Sequence, residues 1–74
     1  MSINIPKLRG KMAERGLTMT STAESLGISR NTLSAYFEDP GRMPYRIIEG
    51  LADLLCEDSK EAGEIFFTPN LRNA

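Results

Sequence analysis

The chain has no histidine and only one cysteine among its 74 residues. The lack of histidine removes the commonest general base and the commonest metal ligand of proteins. Serine and threonine are plentiful, but none has an imidazole to activate its hydroxyl, and no pair of acids lies in a glycine-rich context. We therefore expect no enzymatic activity, no metal site and no cofactor.

The single cysteine, Cys56, cannot form a disulfide within the chain, which fits a reducing compartment. We expect it to be a small apolar side chain in or near the core. The sequence also lacks any apolar run near the roughly 18 residues that cross a bilayer. Its N-terminus has no charged-then-apolar signal pattern. These absences predict a cytoplasmic protein with no membrane contact.

The formal net charge of −1 gives little sign of a nucleic-acid partner, but the charges are unevenly distributed. Residues 1–46 carry seven basic and four acidic side chains, and residues 47–74 carry two and six. This pattern suits a domain that turns its basic side to phosphate and its acidic side away. Two unrelated solvated surfaces would give the same pattern.

Hydrophobic residues make up 41% and charged residues 26% of the chain, as in an ordinary soluble domain. We predict one all-α domain over residues 1–74, a compact five-helix bundle with its core at about 5–67 and a tail at 68–74. The second helix, near 18–25, has weak propensity, so only packing would make it helical. Gly10 lies inside the first helix, where we favour close approach of a neighbouring helix over poor local optimisation. The residues that bound the helices are Pro6, Gly16, Glu38-Asp39-Pro40-Gly41, Pro44 and the capping-box spacing Asp58 to Glu61.

Residues 16–37 predict two short helices bent around a glycine. Gly27 lies between them, where the turn needs positive φ and where a Cβ would crowd the crossing helix. Ser29 stands at the N-cap position of the second helix. The arrangement is a helix-turn-helix, which inserts its second helix into a DNA major groove. The apolar positions at helical spacing are Met19, Ala23 and Leu26 before the turn and Leu33, Tyr36 and Phe37 after it.

The same segment resembles the helix-turn-helix core of phage repressor and Cro-type proteins. The stretches 7–11 and 64–67 are similar to the two ends of a small phage Cro-like group, so the resemblance covers roughly residues 5–67. It is specific for the fold and less so for function, because the same fold also serves proteins that bind proteins. The matching residues are Gly16-Leu17-Thr18, Ala23, Leu26-Gly27-Ile28-Ser29 and Thr32-Leu33-Ser34.

The resemblance implies which residues contact DNA. Its base-contacting positions correspond here to Arg30, Asn31 and Ala35, with Ser29 and Ser34 close by. Arginine can bind guanine O6 and N7 through two hydrogen bonds, and asparagine can bind adenine N6 and N7. Ala35 can offer only a methyl contact to thymine. An exposed Arg-Asn pair that is merely solvated is the alternative.

Further positions are candidates for the phosphate backbone. Thr32 matches a phosphate-contacting position of the family. Arg42 and Arg46 lie around the start of the fourth helix, and Lys11 is a weaker candidate. Phosphate contacts hold the register of a protein on DNA and carry most of the salt dependence of binding.

Two residues depart from the family pattern. Met19 stands where glutamine is frequent and cannot bond a phosphate. Thr22 stands where a larger apolar residue fills the core, and if buried its hydroxyl has to bond back to a carbonyl.

Phe66 and Phe67 are adjacent, so one helix face cannot bury both equally. We expect one to complete the core and the other to contact a second copy or partner, although partial burial of both within one chain is equally compatible.

Two functions follow. The first is a small Cro-like repressor, a sequence-specific regulator that binds a double-stranded DNA operator as two weakly associated copies and blocks transcription by occupancy. The second is a protein-binding modulator, or antirepressor, that docks on a repressor protein through Met19 or an exposed phenylalanine.

Overall fold

The computed structural model describes residues 3–66, which form five α-helices and no strand. A short 3-10 turn, Pro40–Arg42, separates the third helix from the fourth. The all-α class and the five helices predicted from the sequence are confirmed. The helices are α1 (Ile5–Glu14), α2 (Met19–Leu26), α3 (Arg30–Glu38), α4 (Tyr45–Leu55) and α5 (Ser59–Phe66).

The first helix begins one residue earlier than Pro6 suggested. Asn4 is its N-cap, and the Asn4 side chain accepts a hydrogen bond from the Lys7 backbone N–H at 3.1 Å. Pro6 is therefore the second helical residue, where its missing N–H still costs nothing. Gly16 follows the helix with φ 70°, which confirms its predicted role in ending α1.

The second helix has weak helix propensity, but a capping box formed by Thr18 and Ser21 stabilises its first turn. The Ser21 backbone N–H donates to Thr18 Oγ1 at 3.0 Å, and the Thr18 N–H donates to Ser21 Oγ at 2.8 Å. Ala23 is buried against the core. Gly27 ends the helix in the left-handed region at φ 73°, as predicted. Its conformation alone requires glycine, because a Cβ there would meet no atom within 4 Å; the predicted crowding is wrong.

The close helix approach lies at a different glycine from the one expected. A Cβ at Gly10 would have nothing within 4 Å, so the predicted approach of a neighbouring helix there is wrong. A Cβ at Gly50 of α4 would lie 2.6 Å from Leu26 Cδ2 of α2. The absence of a side chain at Gly50 therefore lets α4 pack against α2.

The core is a single cluster to which every helix contributes. The fourth helix has the broadest apolar face, with Ile47, Leu51 and Leu55 buried. The fifth helix supplies Ile65 and Phe66, which are both buried. The buried apolar residues are Leu8, Met12, Ala23, Leu33, Phe37, Met43, Ile47, Leu51, Leu55, Ile65 and Phe66.

Thr22 is the one buried polar residue among positions 3–66. Its side chain is fully covered, as the sequence suggested. Within the described residues, however, Thr22 Oγ1 has no hydrogen-bond partner, so the predicted bond back to a carbonyl is wrong. The hydroxyl thus occupies a core position without the compensation that a buried donor and acceptor normally receives.

The fifth helix is capped by Asp58, whose Oδ1 accepts from the Glu61 backbone N–H at 2.9 Å. The Glu61 carboxylate accepts in return from the N–H of Glu57, one residue before the position that a capping box would use. The helix packs mainly against α1. The Asn4 N–H also donates to the Ile65 carbonyl at 2.6 Å, which joins the first and last helices.

Candidate nucleic-acid interface

The N-terminus of α3 is held by the Ser29 hydroxyl. Ser29 is the N-cap, and its Oγ accepts from the Thr32 backbone N–H at 3.1 Å. The Thr32 hydroxyl lies 2.8 Å from Ser29 Oγ, so the two hydroxyls are hydrogen-bonded to each other. The predicted N-cap is confirmed, and the two side chains fix the first turn of the helix.

The third helix buries one face and exposes the opposite one. Leu33 and Phe37 are buried, whereas Arg30, Asn31 and Ala35 are exposed. At about 100° per residue, Asn31 and Ala35 lie opposite the buried face. Ser29 is exposed at the start of the helix, and Ser34 and Thr32 are half-buried at its flanks. Asn31 and Ala35 therefore share the accessible face. Arg30 precedes Phe37 by seven residues, so it lies on the same side of the helix as Phe37 and is exposed at the first turn.

Two of the predicted phosphate contacts lie just beyond this helix. Arg42 closes the 3-10 turn, which packs against α3, and Arg46 is the second residue of α4. Both are exposed. Among residues 3–66, no carboxylate pairs with Arg30, Arg42 or Arg46. These three arginines therefore keep a positive charge with no carboxylate partner at the surface that the sequence predicts to bind DNA.

Tyr45 lies between these arginines in the sequence and was not predicted as a functional residue. It is 64% exposed and is the one exposed large hydrophobic side chain in the described part of the chain. In the sequence, its exposure is indicated only by its position directly after Pro44, outside the apolar stripe of α4. A tyrosine hydroxyl can donate to a phosphate oxygen.

Lys11 is placed differently from the arginines. Its ammonium lies 2.9 Å from Glu61 Oε2 of α5 and 3.7 Å from Glu14 Oε1, and its side chain is only 17% exposed. The hydrogen bond that the Lys11 ammonium donates to Glu61 Oε2 raises the pKa of Lys11 above its ordinary value. Lys11 is therefore paired with carboxylates of α1 and α5, unlike Arg42 and Arg46.

The first helix supports α3 through an aromatic contact. The Arg9 guanidinium carbon lies 5.2 Å from the ring centroid of Phe37, within the range of a cation–π interaction. Phe37 is buried on the inner face of α3. The contact therefore helps to hold the helix that carries the candidate base-contacting residues.

Met19 and Phe66, two of the side chains expected to contact a protein partner, are partly or fully buried. Met19 is half-buried and packs against the core. Phe66 is 1% exposed, so it is the phenylalanine that completes the core. Phe67 lies outside the described residues.

The remaining chemistry is sparse. Cys56 is half-buried, and its burial raises the pKa of the thiol, which disfavours the nucleophilic thiolate. No group of three or more histidine, cysteine, aspartate or glutamate side chains among residues 3–66 could hold a metal ion. The helices described here include none that has the length and apolar character to cross a bilayer.

Comparison with known proteins gives one informative similarity. Over 70 residues the chain is 33% identical to a Pyrobaculum aerophilum protein provisionally named an HTH-type transcriptional regulatory protein. The match covers 95% of this chain and 28% of the relative, so the chain spans little more than a quarter of that protein's length. No protein-family model and no solved structure matches the chain. The similarity supports a helix-turn-helix regulator in general and does not extend to the phage Cro group.

Proposed function

We propose that this chain is a sequence-specific double-stranded DNA-binding regulator that uses α3 as its recognition helix. The observation that carries the proposal is the exposed face of α3 with Asn31 and Ala35, together with three exposed arginines, Arg30, Arg42 and Arg46, that pair with no carboxylate among residues 3–66. The name of the Pyrobaculum aerophilum relative points to the same function.

In this proposal Arg30 and Asn31 read bases and the flanking residues bind the backbone. Arg30 pairs with a guanine and Asn31 with an adenine, each bidentate contact discriminating by about 1–3 kcal/mol. Ala35 contacts a thymine methyl group, with Ser29 and Ser34 at the edge of the same surface. Arg42, Arg46 and Thr32 bind phosphates, and Tyr45 joins them as a hydroxyl donor.

We further propose a cytoplasmic repressor of the phage or prophage Cro type that acts by occupying its operator. Two copies bind half-sites about one helical turn of DNA apart, so the operator is pseudo-palindromic. With no effector site assigned, occupancy depends on concentration and competition with other DNA-binding proteins.

The test is an in vitro selection from a random DNA pool at near-physiological salt with the wild-type chain. We expect enrichment of a two-fold symmetric motif. Asn31→Ala and Arg30→Ala should each lose preference at one position per half-site, while Arg15→Ala, which removes an arginine from the far end of α1, should select the wild-type motif. If folded wild-type protein enriches no sequence, the proposal is wrong and a protein-binding modulator becomes the better hypothesis.

The predicted phosphate contacts can be distinguished from base contacts by the salt dependence of DNA binding. Arg42→Ala and Arg46→Ala should weaken binding to every sequence about equally and lower the slope of log K against log salt by about 0.9 each. The preferred motif should stay the same. A changed motif would instead assign these arginines to base readout.

A further inference from the structure

A row of three ion pairs joins α1 to α5 and the residue that precedes its cap. Lys7 Nζ lies 3.2 Å from Glu64 Oε1, and Lys11 Nζ lies 2.9 Å from Glu61 Oε2. Arg15 Nη2 lies 3.6 Å from Glu57 Oε2. The three cations are four residues apart, so they lie along one face of α1, and their partners follow in the opposite direction. We call these three contacts the α1–α5 ion-pair row.

The row divides the basic residues of the described chain into two classes. Every lysine or arginine that is paired with a carboxylate belongs to α1 or its C-cap. Of the basic residues at 3–66 without a carboxylate partner, Arg30, Arg42 and Arg46 lie at the candidate interface. Arg9 lies over Phe37, and Lys60 is exposed on α5.

We infer that Glu61 and Glu64 are specificity-determining residues, because they neutralise Lys11 and Lys7 and thereby keep α1 from binding DNA phosphates. The inference rests on the proposed DNA-binding function. Non-specific affinity for DNA is supplied by cations that release counterions from phosphates. A cation that is already paired with a carboxylate brings no uncompensated charge to the duplex, so such binding is left to the remaining basic residues.

The stability of the fold does not account for the Lys7–Glu64 pair of the row. The Lys7–Glu64 pair is about half exposed on both sides, and exposed ion pairs typically contribute little to folding. The fifth helix is also held by Ile65 and Phe66 in the core and by the hydrogen bond from the Asn4 N–H to the Ile65 carbonyl. Replacing the glutamates with glutamine should therefore leave α5 in place, free Lys7 from Glu64, and leave Lys11 with only its longer contact of 3.7 Å to Glu14.

The experiment compares two variants with the same change in net charge. Glu61→Gln/Glu64→Gln removes two carboxylates from the row. Glu24→Gln/Asp53→Asn removes two exposed carboxylates that pair with no cation among residues 3–66. Binding to duplex DNA of unrelated sequence and to the selected operator is measured across a salt series, with a thermal melt to confirm that each variant is folded.

We expect the first variant to bind unrelated DNA roughly tenfold more tightly at low salt, with a salt slope steeper by up to about 1.8. Its ratio of operator to unrelated affinity should fall. The second variant should change non-specific affinity by less than about threefold. The exchanged pair Lys7→Glu/Glu64→Lys, which keeps both the contact and the net charge, should behave as wild type.

Equal gains in the two amide variants would overturn the inference, because net charge alone would then explain them. An unchanged salt slope in the first variant would overturn it as well. Both outcomes leave the proposed function standing if the wild-type chain selects an operator. A folded wild-type chain that binds no DNA sequence would instead refute the proposed function.

Discussion

Ser29 and Thr32 are joined by two hydrogen bonds at the start of α3. Ser29 Oγ accepts from the Thr32 backbone N–H at 3.1 Å and lies 2.8 Å from the Thr32 hydroxyl. The candidate recognition helix is thus fixed at the turn that carries Arg30 and Asn31. Its local stability and its proposed DNA contacts therefore depend on the same two hydroxyls.

Ser29→Ala should destabilise the fold by about 0.5–2 kcal/mol, because the first turn of α3 loses its capping acceptor. Urea denaturation followed by far-UV circular dichroism measures the change. Ser29→Asn keeps a capping side chain without adding charge and should recover most of the loss. Equal stability of the alanine variant and the wild type would show that the cap contributes nothing.

Thr22→Val should stabilise the fold by about 1–3 kcal/mol. The substitution keeps the shape of the side chain and removes a buried hydroxyl that has no partner within the described residues. Denaturation midpoints of the two proteins provide the measurement. Thr22→Ser, which keeps the hydroxyl and removes a methyl group, should be less stable than wild type. A less stable valine variant would mean that the hydroxyl forms a bond in solution.

Gly10→Ala should stabilise the fold more than Gly50→Ala. Gly10 has open space around its missing Cβ, so alanine should add about 1 kcal/mol through helix propensity. At Gly50 the new methyl group would force the end of the partly buried Leu26 side chain to move, and the cost of this shift offsets part of the gain in helix propensity. Chemical denaturation of the two variants tests the pair, and equal gains would contradict the close approach of α2 and α4.

The ion pair between Lys11 and Glu61 should make stability depend on acid pH. The N–H of Glu57 and the ammonium of Lys11 lower the pKa of Glu61, so its ionised form stabilises the fold above the ordinary glutamate range. That contribution is lost as the pH falls through the lowered pKa. Glu61→Gln should therefore reduce the loss of stability between pH 7 and pH 3, as measured by urea titrations. An identical loss in both proteins would refute this assignment.

Local sequence signals predicted the helices because they act within a few residues. The glycine at 27, the serine at 29 and the Pro40-Gly41 break each fix backbone geometry nearby, and the corresponding ends agree with prediction. The packing of a residue against distant parts of the chain was harder to predict. The choice between Gly10 and Gly50 as the close-packed glycine required the crossing of α2 and α4, which no local pattern contains.

The candidate interface was predicted to a similar extent. Helical periodicity predicts that Asn31 and Ala35 lie opposite the buried Leu33, and both are exposed. Their contacts with DNA, and that of Arg30, stay a prediction. The partner of Lys11 lies 50 residues away, and its pairing with Glu61 could not be inferred from spacing. Tyr45 was missed because an aromatic residue at a helix start is equally typical of a core position.

The bond from Asn4 to Ile65 also has a consequence for the order in which the chain assembles. Chains fold as they are synthesised from the N-terminus, at about 5–20 residues per second. Helices α2, α3 and α4 are neighbours in sequence, whereas the contacts of α1 with α5 and its cap require residues 57–66. Until these residues have been synthesised, Lys7 and Lys11 lack Glu64 and Glu61, and the Asn4 N–H lacks the Ile65 carbonyl. The contacts between α1 and α5 are therefore the ones that become possible latest during synthesis of residues 3–66.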